Sequence, residues 1–433
     1  MIPAAAPYAI GRERTNVPTD NFTVVAAVHT ENTFVCCVSS LMDSCGAASV
    51  RLLRLSLQRN GSAVRYLSSP TNLSEKARLV SPVLRAEGTG GRSSVSGIIA
   101  TVFGSTGFLG RYVVSQLGRI GSTVFVAWRG DELDNRHLKV MGDLGQINPI
   151  QIEARDINSL RRSIAGSNVV INLIGKWYDT RYYSLEDVNI GVAETIARLA
   201  SLEQVEHFIH VSALPAYSKA NSEYPEDRWS RSKIEGERLV RQAFPRATIF
   251  RPADIWGMED RFLARIATSL SRLGFVPVVQ GGKSRTQPVW VDDVARAIVS
   301  SVRNPESTAG KTYELFGPRV LTRREVVEFV ADSTKRELNL LNLPLPIAKV
   351  VMRLTGMRLP LVNPSPLFTE SDAVREASDV IASSILSSGE EREALGTFDD
   401  LDIIPHDLLS DLGRNTLRQY RKGGDRSSLF YVD

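Results

Sequence analysis

The sequence predicts an α/β fold, namely a doubly wound parallel sheet followed by a smaller, mostly helical C-terminal lobe. From about residue 96 to residue 255, apolar segments of strand length alternate with amphipathic segments of helix length. That alternation is typical of βαβ units. The first apolar segment enters a glycine-rich turn that opens a helix. A chain of 433 residues that is 43% hydrophobic also supplies enough apolar side chains for a large core.

The first βαβ unit lies in the stretch SGIIATVFGSTGFLGRYVVSQLGRIGSTVFVAWRG. Strands are predicted at Ile98–Phe103 and Thr123–Trp128, with a helix over Phe108–Leu117 between them. Glycines at every third position allow a tight turn, close approach of a pyrophosphate, and packing of helix on strand. The helix N-terminus adds unpaired N–H groups. We therefore predict a dinucleotide site at Gly104, Ser105, Thr106, Gly107, Phe108, Leu109 and Gly110.

The residue after the second strand indicates which nucleotide is bound. An acidic residue there would accept hydrogen bonds from a ribose 2′-hydroxyl, but it would repel a 2′-phosphate. Arg129 occupies this position, although Asp131 and Glu132 follow closely. The sequence favours NADP(H), and the alternative is a merely solvated arginine.

Three further strands complete the predicted sheet. The fourth, Asn168–Ile174, ends at Gly175, and the fifth, in VEHFIHVSAL, brings Ser212 to the cofactor edge. The sixth is Thr248–Arg251. Asp156 follows the third strand, where either an adenine contact or an N-cap for the helix beginning near Ile157 is expected. Ile174, Gly175 and Ser212 join the predicted cofactor-binding residues.

Several motifs together resemble a known family. They are TVFGSTGFLGRYVV, MGDLGQ, VVINLIG, SKIEGE, RPADIWGMEDRF and PVWVDDVARAI. The chain resembles atypical short-chain dehydrogenases/reductases and, among them, the nucleotide-binding accessory subunits of mitochondrial respiratory complex I, close to the plant and green-algal members. The resemblance runs roughly from GTGGRSSVSGI to QYRKGG. It implies a Rossmann-type domain with bound NADPH, other complex I subunits as partners, and a peripheral place on the matrix side of the inner membrane.

The catalytic tyrosine of the dehydrogenase family is absent. Family members that transfer hydride resemble one another in a Tyr, which is the general acid or base, and a Lys four residues later. Here Lys233 has Trp229 at that place, and an indole N–H has no usable acid–base equilibrium. Ser212 also stands one or two positions before the place of the family's catalytic serine, which Ala213 and Leu214 occupy here. The resemblance therefore implies a subunit that holds NADPH without catalysis.

Two other functions stay open at this point. One is an active reductase or epimerase of mitochondria or plastids that uses Tyr217 or Tyr224 as a displaced acid. The other is a redox sensor controlled by nucleotide occupancy. Lys233 is predicted to bind the nicotinamide ribose, or else to be a solvated helix lysine beside Glu235 and Glu237. Trp229 is expected to cover the nicotinamide or to fill the substrate pocket.

Residues 1–67 are predicted to be a mitochondrial targeting leader. Between Ser44 and Ser74 there are four arginines, many serines and leucines and no acidic residue, and RLLRLSLQR can fold as an amphipathic helix. A plastid transit peptide shares this composition. The stretch before Met42 does not look like the start of a targeting sequence, so it is interpreted as a spurious extension with Met42 as the candidate initiator. Residues 68–95 are expected to be flexible.

The remaining chain is divided into a nucleotide-binding domain, residues 96–255, and a C-terminal lobe with a partner-docking tail, residues 256–433. Some segments of the lobe are expected to return to the first domain. Asp292 or Asp293 is predicted to cap the helix in QPVWVDDVARAIVSSV, and His406 is assigned a structural role. The apolar stretch 340–362 is compatible with burial, a partner surface or a membrane interface.

Charge and cysteine usage exclude other classes. Residues 1–95 hold ten Lys and Arg against six Asp and Glu, whereas residues 96–433 hold 42 of each. Such a neutral body argues against nucleic-acid binding. The cysteines, Cys36, Cys37 and Cys45, all precede it, so no thiolate metal site is expected, and no metal is predicted.

Overall fold

The computed structural model describes residues 23–30, 33–39, 51–55, 93–217, 227–356, 368–383 and 395–422. The chain divides into two compact units, residues 1–80 and 81–433. In the first unit, the described strands form an antiparallel sheet in the order β1-β2-β3. The strands are β1 (Thr23–Thr30), β2 (Thr33–Ser39) and β3 (Arg51–Leu55).

The helix expected in RLLRLSLQR is wrong for its first five residues, which form β3. A nine-residue helix without a packing partner is marginal in water. The neighbouring strand β2, TFVCCVS, is rich in strand-forming residues and offers β3 a backbone partner, with Cys36 opposite Leu53. The targeting role of residues 1–67 depends on their composition and stays a prediction.

In the second unit, strands and helices alternate along the first half, as expected. The elements are β4 (Ile99–Phe103), α1 (Phe108–Arg119), β5 (Thr123–Trp128), α2 (Arg136–Lys139), β6 (Ile147–Gln151), α3 (Ile157–Ile164), β7 (Val169–Asn172), α4 (Ala193–Leu202), β8 (His207–Val211), α5 (Leu214–Tyr217), α6 (Arg228–Ala243) and β9 (Thr248–Pro252). A 3₁₀ turn covers Glu132–Asn135, and a π turn, Asp187–Val192, leads into α4.

The second half adds short strands and more helices. They are β10 (Ile255–Trp256), α7 (Leu263–Arg272), β11 (Val276–Val279), β12 (Arg285–Thr286), β13 (Val289–Trp290), α8 (Val291–Arg303), α9 (Pro305–Thr308), β14 (Thr312–Leu315), β15 (Leu321–Thr322), α10 (Arg323–Thr334), β16 (Leu340–Leu343), α11 (Leu345–Gly356), α12 (Glu370–Ala377) and α13 (Asp411–Thr416). Short 3₁₀ turns cover Gln280–Gly282, Asp399–Leu401 and Arg418–Tyr420.

The described strands of this unit include a seven-stranded parallel sheet in the order β14-β9-β8-β7-β4-β5-β6. The doubly wound prediction is confirmed. The chain moves outward from β4 to β6 and then returns to β7 on the other side of β4. Ligands of such sheets bind at this switch point, beyond the carboxyl ends of the strands. The edge strand β14 was not assigned from the sequence, because its four residues TYEL are too short to stand out.

Both faces of the sheet are buried, which explains the nearly continuous apolar strands. On one face, Val102 belongs to a core that includes side chains of α1 and α8. On the other, Phe103 and Val170 pack with side chains of α3, α4 and α6. A separate core around Trp256, Leu263 and Val326 holds the second lobe together.

The capping role predicted for Asp292 or Asp293 is wrong. Helix α8 follows β13 directly, so its N-cap residue is Trp290, and no side chain caps it. Asp292 accepts a hydrogen bond from Gln116 at 2.6 Å. Asp293 is fully buried and accepts from the backbone N–H of His406 at 2.6 Å. His406 thus fastens the C-terminal tail to α8, in keeping with its structural assignment.

The apolar helix α11 is only partly covered. Ala348 and Met352 are buried, whereas Ile347 and Val350 are 52% and 58% exposed and lie on one face with Val351. No helix within the described residues has both the length and the hydrophobicity needed to cross a membrane.

Candidate functional site

The glycine-rich turn between β4 and α1 is shaped by backbone contacts. Gly104 adopts φ +78°, which favours glycine, and the Gly107 N–H donates to its carbonyl at 3.1 Å. A Cβ on Gly110 would lie 2.3 Å from the Gly104 oxygen, so α1 approaches the turn more closely than any side chain permits. The turn at Gly104 and the close packing at Gly110 agree with the tasks that the spacing predicted, and the approach of a pyrophosphate at Gly107 stays a prediction.

Two polar residues of the turn hold its shape. The Ser105 hydroxyl is buried and donates to the Ala127 carbonyl at 3.2 Å, which fastens the turn to the end of β5. The Thr106 carbonyl accepts from Arg111 Nε at 3.2 Å. The Ser105 hydroxyl is therefore engaged within the fold.

A cleft of about 240 Å³ lies beyond the carboxyl ends of the central strands. Five residues predicted from the sequence line it, namely Phe108, Leu109, Gly175, Ser212 and Lys233. Leu173, at the end of β7, lies beside them, and the Ile174 N–H next to it donates to the Asn172 side chain at 3.0 Å. The structure therefore brings together residues from four separate segments of the sequence at the expected edge of the sheet.

Lys233 is not the solvated lysine of the alternative interpretation. Its side chain projects from α6 into the cleft and is only 8% exposed. A Cβ on Gly175 would lie 2.7 Å from its Nζ, so the absence of a side chain at Gly175 makes room for the amine. Burial lowers the pKa of Lys233 to about 8, and the Glu237 carboxylate partly opposes that shift.

Trp229 fills the position of the missing tyrosine with an aromatic stack. It is 2% exposed, and its ring lies against Trp177 with centroids 4.5 Å apart and planes at 11°. Leu185, Ala213 and Ala216 complete this small core. Trp177 lies in the segment that follows β7, and no spacing in the sequence connects it to Trp229. The stack occupies the side of the cleft where a substrate would meet a catalytic tyrosine.

Tyr217 is poorly suited to act as a displaced acid. Its ring lies under the Arg251 guanidinium, 3.6 Å from the centroid, and Arg251 pairs with Glu237 at 2.6 Å. Burial and the Glu237 carboxylate raise the pKa of Tyr217 well above its ordinary range. A phenol so reluctant to ionise is a weak general acid. Tyr224, the other displaced candidate, lies outside the described residues.

Arg129, at the end of β5, meets a second arginine that the sequence analysis missed. The guanidinium groups of Arg129 and Arg155 lie 4.8 Å and 4.6 Å from the centroid of the Tyr183 ring. Neither forms an ion pair with a carboxylate of the described residues. The nearby Asp131 instead accepts the Leu133 N–H at 3.3 Å and so caps the following 3₁₀ turn. The Tyr183 hydroxyl donates to the Glu153 carboxylate, so two guanidinium groups and one carboxylate meet at this edge of the sheet.

Asp156 has the N-cap geometry that was one of its two expected roles. Its carboxylate accepts the Asn158 N–H at 3.0 Å and so caps α3. The side chain lies at the exposed edge, beyond β6, and the cap is formed by one carboxylate oxygen, Oδ1. An adenine contact stays a prediction.

Arginines of the second lobe form the far wall of the cleft, and they too escaped the sequence analysis. Arg261, Arg265 and Arg375 line it together with Asp254. Arg375 covers the tryptophan stack, 4.5 Å from the Trp177 centroid. These residues come from α12 and from the region of α7, separated by more than a hundred positions. No sequence motif links them.

The residues present fit a nicotinamide nucleotide. The glycine turn leaves space that a Cβ would fill, and the N–H groups of α1 face it. Lys233 supplies an ammonium near Ser212, at the end of β8. When bound, such a nucleotide can donate or accept hydride, yet no residue that lines the described cleft has the chemistry of the missing tyrosine. Within the described residues, no group of His, Cys, Asp and Glu side chains could hold a metal ion.

Sequence comparisons agree with this architecture. Residues 100–315 match the profile of the NAD dependent epimerase/dehydratase family. The chain is 43% identical over 346 residues to the mitochondrial NADH dehydrogenase [ubiquinone] 1 alpha subcomplex subunit 9 of Arabidopsis thaliana. The aligned stretch covers 79% of this chain and 82% of that protein. It is 42% identical over 300 residues to the Mus musculus protein of the same name, over 69% of this chain and 77% of that one.

A solved structure shows the same fold. The nucleoside-diphosphate-sugar epimerase of Staphylococcus aureus superposes with a TM-score of 0.52 at 17% identity, over 73% of this chain and 99% of the epimerase. At this identity, the likeness concerns the fold alone.

Proposed function

Since the chain belongs to the family of alpha subcomplex subunit 9 of mitochondrial NADH dehydrogenase, we propose that it is an accessory subunit of respiratory complex I that holds NADPH without turning it over. The observation that supports this most is the contrast within one cleft. The glycine turn and Lys233 are intact, whereas Trp229 and Trp177 occupy the place of a catalytic tyrosine and its substrate.

Each part of the site has a task in this proposal. The turn from Gly104 to Gly110 and the first N–H groups of α1 bind the pyrophosphate. The Lys233 ammonium donates to the nicotinamide ribose, while Asp156 and Ile174 flank the adenosine half. The stacked tryptophans exclude water and substrate from the nicotinamide, so its hydride has no acceptor.

The preference for NADPH is proposed from the charge at the adenosine end. A 2′-phosphate carries close to two negative charges and accepts bidentate hydrogen bonds from guanidinium groups. Arg129 and Arg155 converge on Tyr183 there. Of the acids in this region, Glu153 accepts the Tyr183 hydroxyl and Asp131 is engaged in a cap. Arg155 is therefore added to Arg129 as a binding residue for the 2′-phosphate.

The nucleotide has a structural role in this proposal. A ligand that binds only the folded chain stabilises it by about 4 kcal/mol at a thousandfold excess over its dissociation constant. The stabilised second lobe then presents the exposed apolar face of α11, with Ile347, Val350 and Val351, to the assembled complex. The location proposed is peripheral, on the matrix side of the inner membrane, and the nucleotide supports assembly.

The proposal is tested on native gels of mitochondrial membranes solubilised in mild detergent. The chain is expected to migrate with NADH dehydrogenase activity, and near-stoichiometric NADPH is expected on extraction. A soluble band of low mass with exchangeable nucleotide would favour the sensor. Sustained NADPH oxidation with quinones, enones or nucleotide sugars would favour the reductase.

Replacing Lys233 by methionine is expected to weaken NADPH binding about tenfold, since a hydrogen bond from a charged group is lost. The wild-type affinity should fall as the pH rises through about 8, because the ammonium loses its proton there. Titrations with NADPH between pH 7 and 9.5, followed by the quenching of the intrinsic protein fluorescence, measure both effects.

The matched control for that titration is Lys283→Met, which removes an exposed lysine outside the cleft. Its affinity and pH profile should equal those of the wild type. Equal NADPH binding by the Lys233 variant, or a wild-type affinity that does not change across pH 8, would contradict the role given to the ammonium.

A further inference from the structure

A tyrosine at the adenosine end of the site contacts two guanidinium groups and a carboxylate at once. The ring of Tyr183 has the Arg129 guanidinium 4.8 Å from its centroid and the Arg155 guanidinium 4.6 Å from it. The hydroxyl of the same side chain donates to the Glu153 carboxylate. Tyr183 therefore touches both arginines that are proposed to bind the 2′-phosphate and an acid that would oppose them.

The sheet brings these four side chains together. Arg129 follows β5, whereas Glu153 and Arg155 follow the neighbouring strand β6, which pairs with β5 in parallel. Tyr183 reaches them from the loop after β7. The carboxyl ends of parallel strands meet at one edge of a sheet, where nucleotides bind. The acid and the two arginines thus share the place proposed for the 2′-phosphate.

The loop that carries Tyr183 is held by hydrogen bonds and ion pairs of its own. The Thr180 N–H donates to the Tyr183 carbonyl at 2.8 Å, and the Tyr183 N–H donates to the Thr180 hydroxyl oxygen at 3.1 Å. Arg228, at the start of α6, pairs with Asp179 before this turn and with Glu186 after it, at 2.6 Å and 2.5 Å. Contacts that involve neither arginine of the nucleotide site therefore position Tyr183.

A carboxylate without the tyrosine would favour the wrong nucleotide. Next to Arg129 and Arg155, a free Glu153 would pair with them and withdraw their N–H donors from a phosphate. It would also repel a 2′-phosphate and accept a hydrogen bond from the ribose 2′-hydroxyl of NADH. The Tyr183 hydroxyl engages the carboxylate instead. A guanidinium group over an aromatic ring keeps its in-plane N–H donors available for a phosphate.

The phenol is suited to be the donor in this pair. Burial and the hydrogen bond to Glu153 raise the pKa of Tyr183 above its ordinary value of about 10. The hydroxyl therefore keeps its proton at neutral pH, and Glu153 can only be the acceptor.

We propose that Tyr183 is a positioning residue that makes the site selective for NADP(H) over NAD(H). It acts by engaging the Glu153 carboxylate, which leaves the N–H donors of Arg129 and Arg155 for the 2′-phosphate. The inference rests on the proposed function, because it assumes that the adenosine end of the nucleotide lies beyond β5 and β6. It explains how an acid is tolerated beside a site for a 2′-phosphate.

The test measures which nucleotide the full chain retains after equilibration with an equimolar mixture of NADPH and NADH. The wild type is expected to retain mostly NADPH. Tyr183→Phe keeps the ring but removes the hydroxyl, so the ratio of bound NADPH to bound NADH should fall about fivefold, as for the loss of one hydrogen bond. Tyr182→Phe is the control, because that neighbouring side chain is 68% exposed, and it should leave the ratio unchanged.

A second substitution separates this role from a merely structural one. If Tyr183 acts through Glu153, the hydroxyl becomes dispensable once the carboxylate is removed. Tyr183→Phe combined with Glu153→Gln should therefore regain at least the wild-type ratio, and Glu153→Gln alone should not lower it. A substitution that only loosened the loop would not be rescued by a change at Glu153.

The outcomes distinguish this inference from the proposed function. A wild-type ratio in Tyr183→Phe, or a loss that Glu153→Gln does not restore, would overturn the inference while NADPH binding stands. A wild type that retains no nucleotide, or that prefers NADH, would contradict both. Sustained NADPH oxidation would contradict the non-catalytic function alone, and the role of Tyr183 in selectivity would remain.

Discussion

An alanine at Gly110 is expected to abolish stoichiometric NADPH binding and to lower the free energy of unfolding by about 1–3 kcal/mol, the usual cost of overpacking. The new Cβ would lie 2.3 Å from the Gly104 oxygen and 2.7 Å from the Ser105 Cα. Both contacts are with backbone, which cannot rotate away as a side chain would. Helix α1 must therefore move off the turn, and its N–H groups leave the pyrophosphate site.

Nucleotide content after purification and denaturant unfolding with and without NADPH measure the two effects. Gly191→Ala is the control, because nothing lies within 4 Å of a Cβ at that position in the π turn before α4. That variant should keep its nucleotide and its stability. An alanine at Gly110 that retains NADPH would show that the turn does not bind the pyrophosphate.

The parts of the site that the sequence predicted are those whose residues lie close together in the chain. A local sequence pattern predicted each of them, namely the glycine turn, the strand ends at Gly175 and Ser212, and the helical Lys233. Parallel strands then bring these segments to one edge of the sheet as a consequence of topology. The cleft could be placed for that reason before any contact was known.

The rest depends on contacts between distant segments. Trp177 meets Trp229 across 52 positions, and Arg265 meets Asp372 across more than a hundred, without any periodic signal. The capping prediction for α8 failed for a related reason. The sequence positions of Asp292 and Asp293 suit an N-cap. Their carboxylates instead accept hydrogen bonds from Gln116 and His406, which lie far away in the chain.

The Asp372→Asn substitution is expected to lower the free energy of unfolding by about 3–5 kcal/mol, the cost of leaving buried charges without their partner. Asp372, on α12, is 3% exposed and accepts from Arg265 of α7 at 3.0 Å and from Arg375 at 2.6 Å. An amide keeps the shape of the carboxylate but loses its charge. The two guanidinium groups would then be left with Glu376 and Asp254 as counterions.

The loss should depend on pH in a defined direction. Burial alone would raise the pKa of Asp372, but the guanidinium groups of Arg265 and Arg375 outweigh it and hold the pKa below its ordinary range. The folded chain therefore gains stability from the carboxylate above the ordinary aspartate pKa of about 4 and loses it as the pH falls further. The difference between wild type and variant should be constant from pH 5 to 7 and shrink below pH 4.

Denaturant unfolding across that pH range measures the difference, with Asp332→Asn as the control. Asp332 is exposed and its contact with Arg414 is 3.7 Å, so its substitution should change the free energy by less than about 0.5 kcal/mol. A similarly small effect at Asp372 would mean that the arginines already have another counterion. Arg375 would then hold α12 to the cleft through its contacts with Trp177 and Trp229 and that other counterion, and not through Asp372.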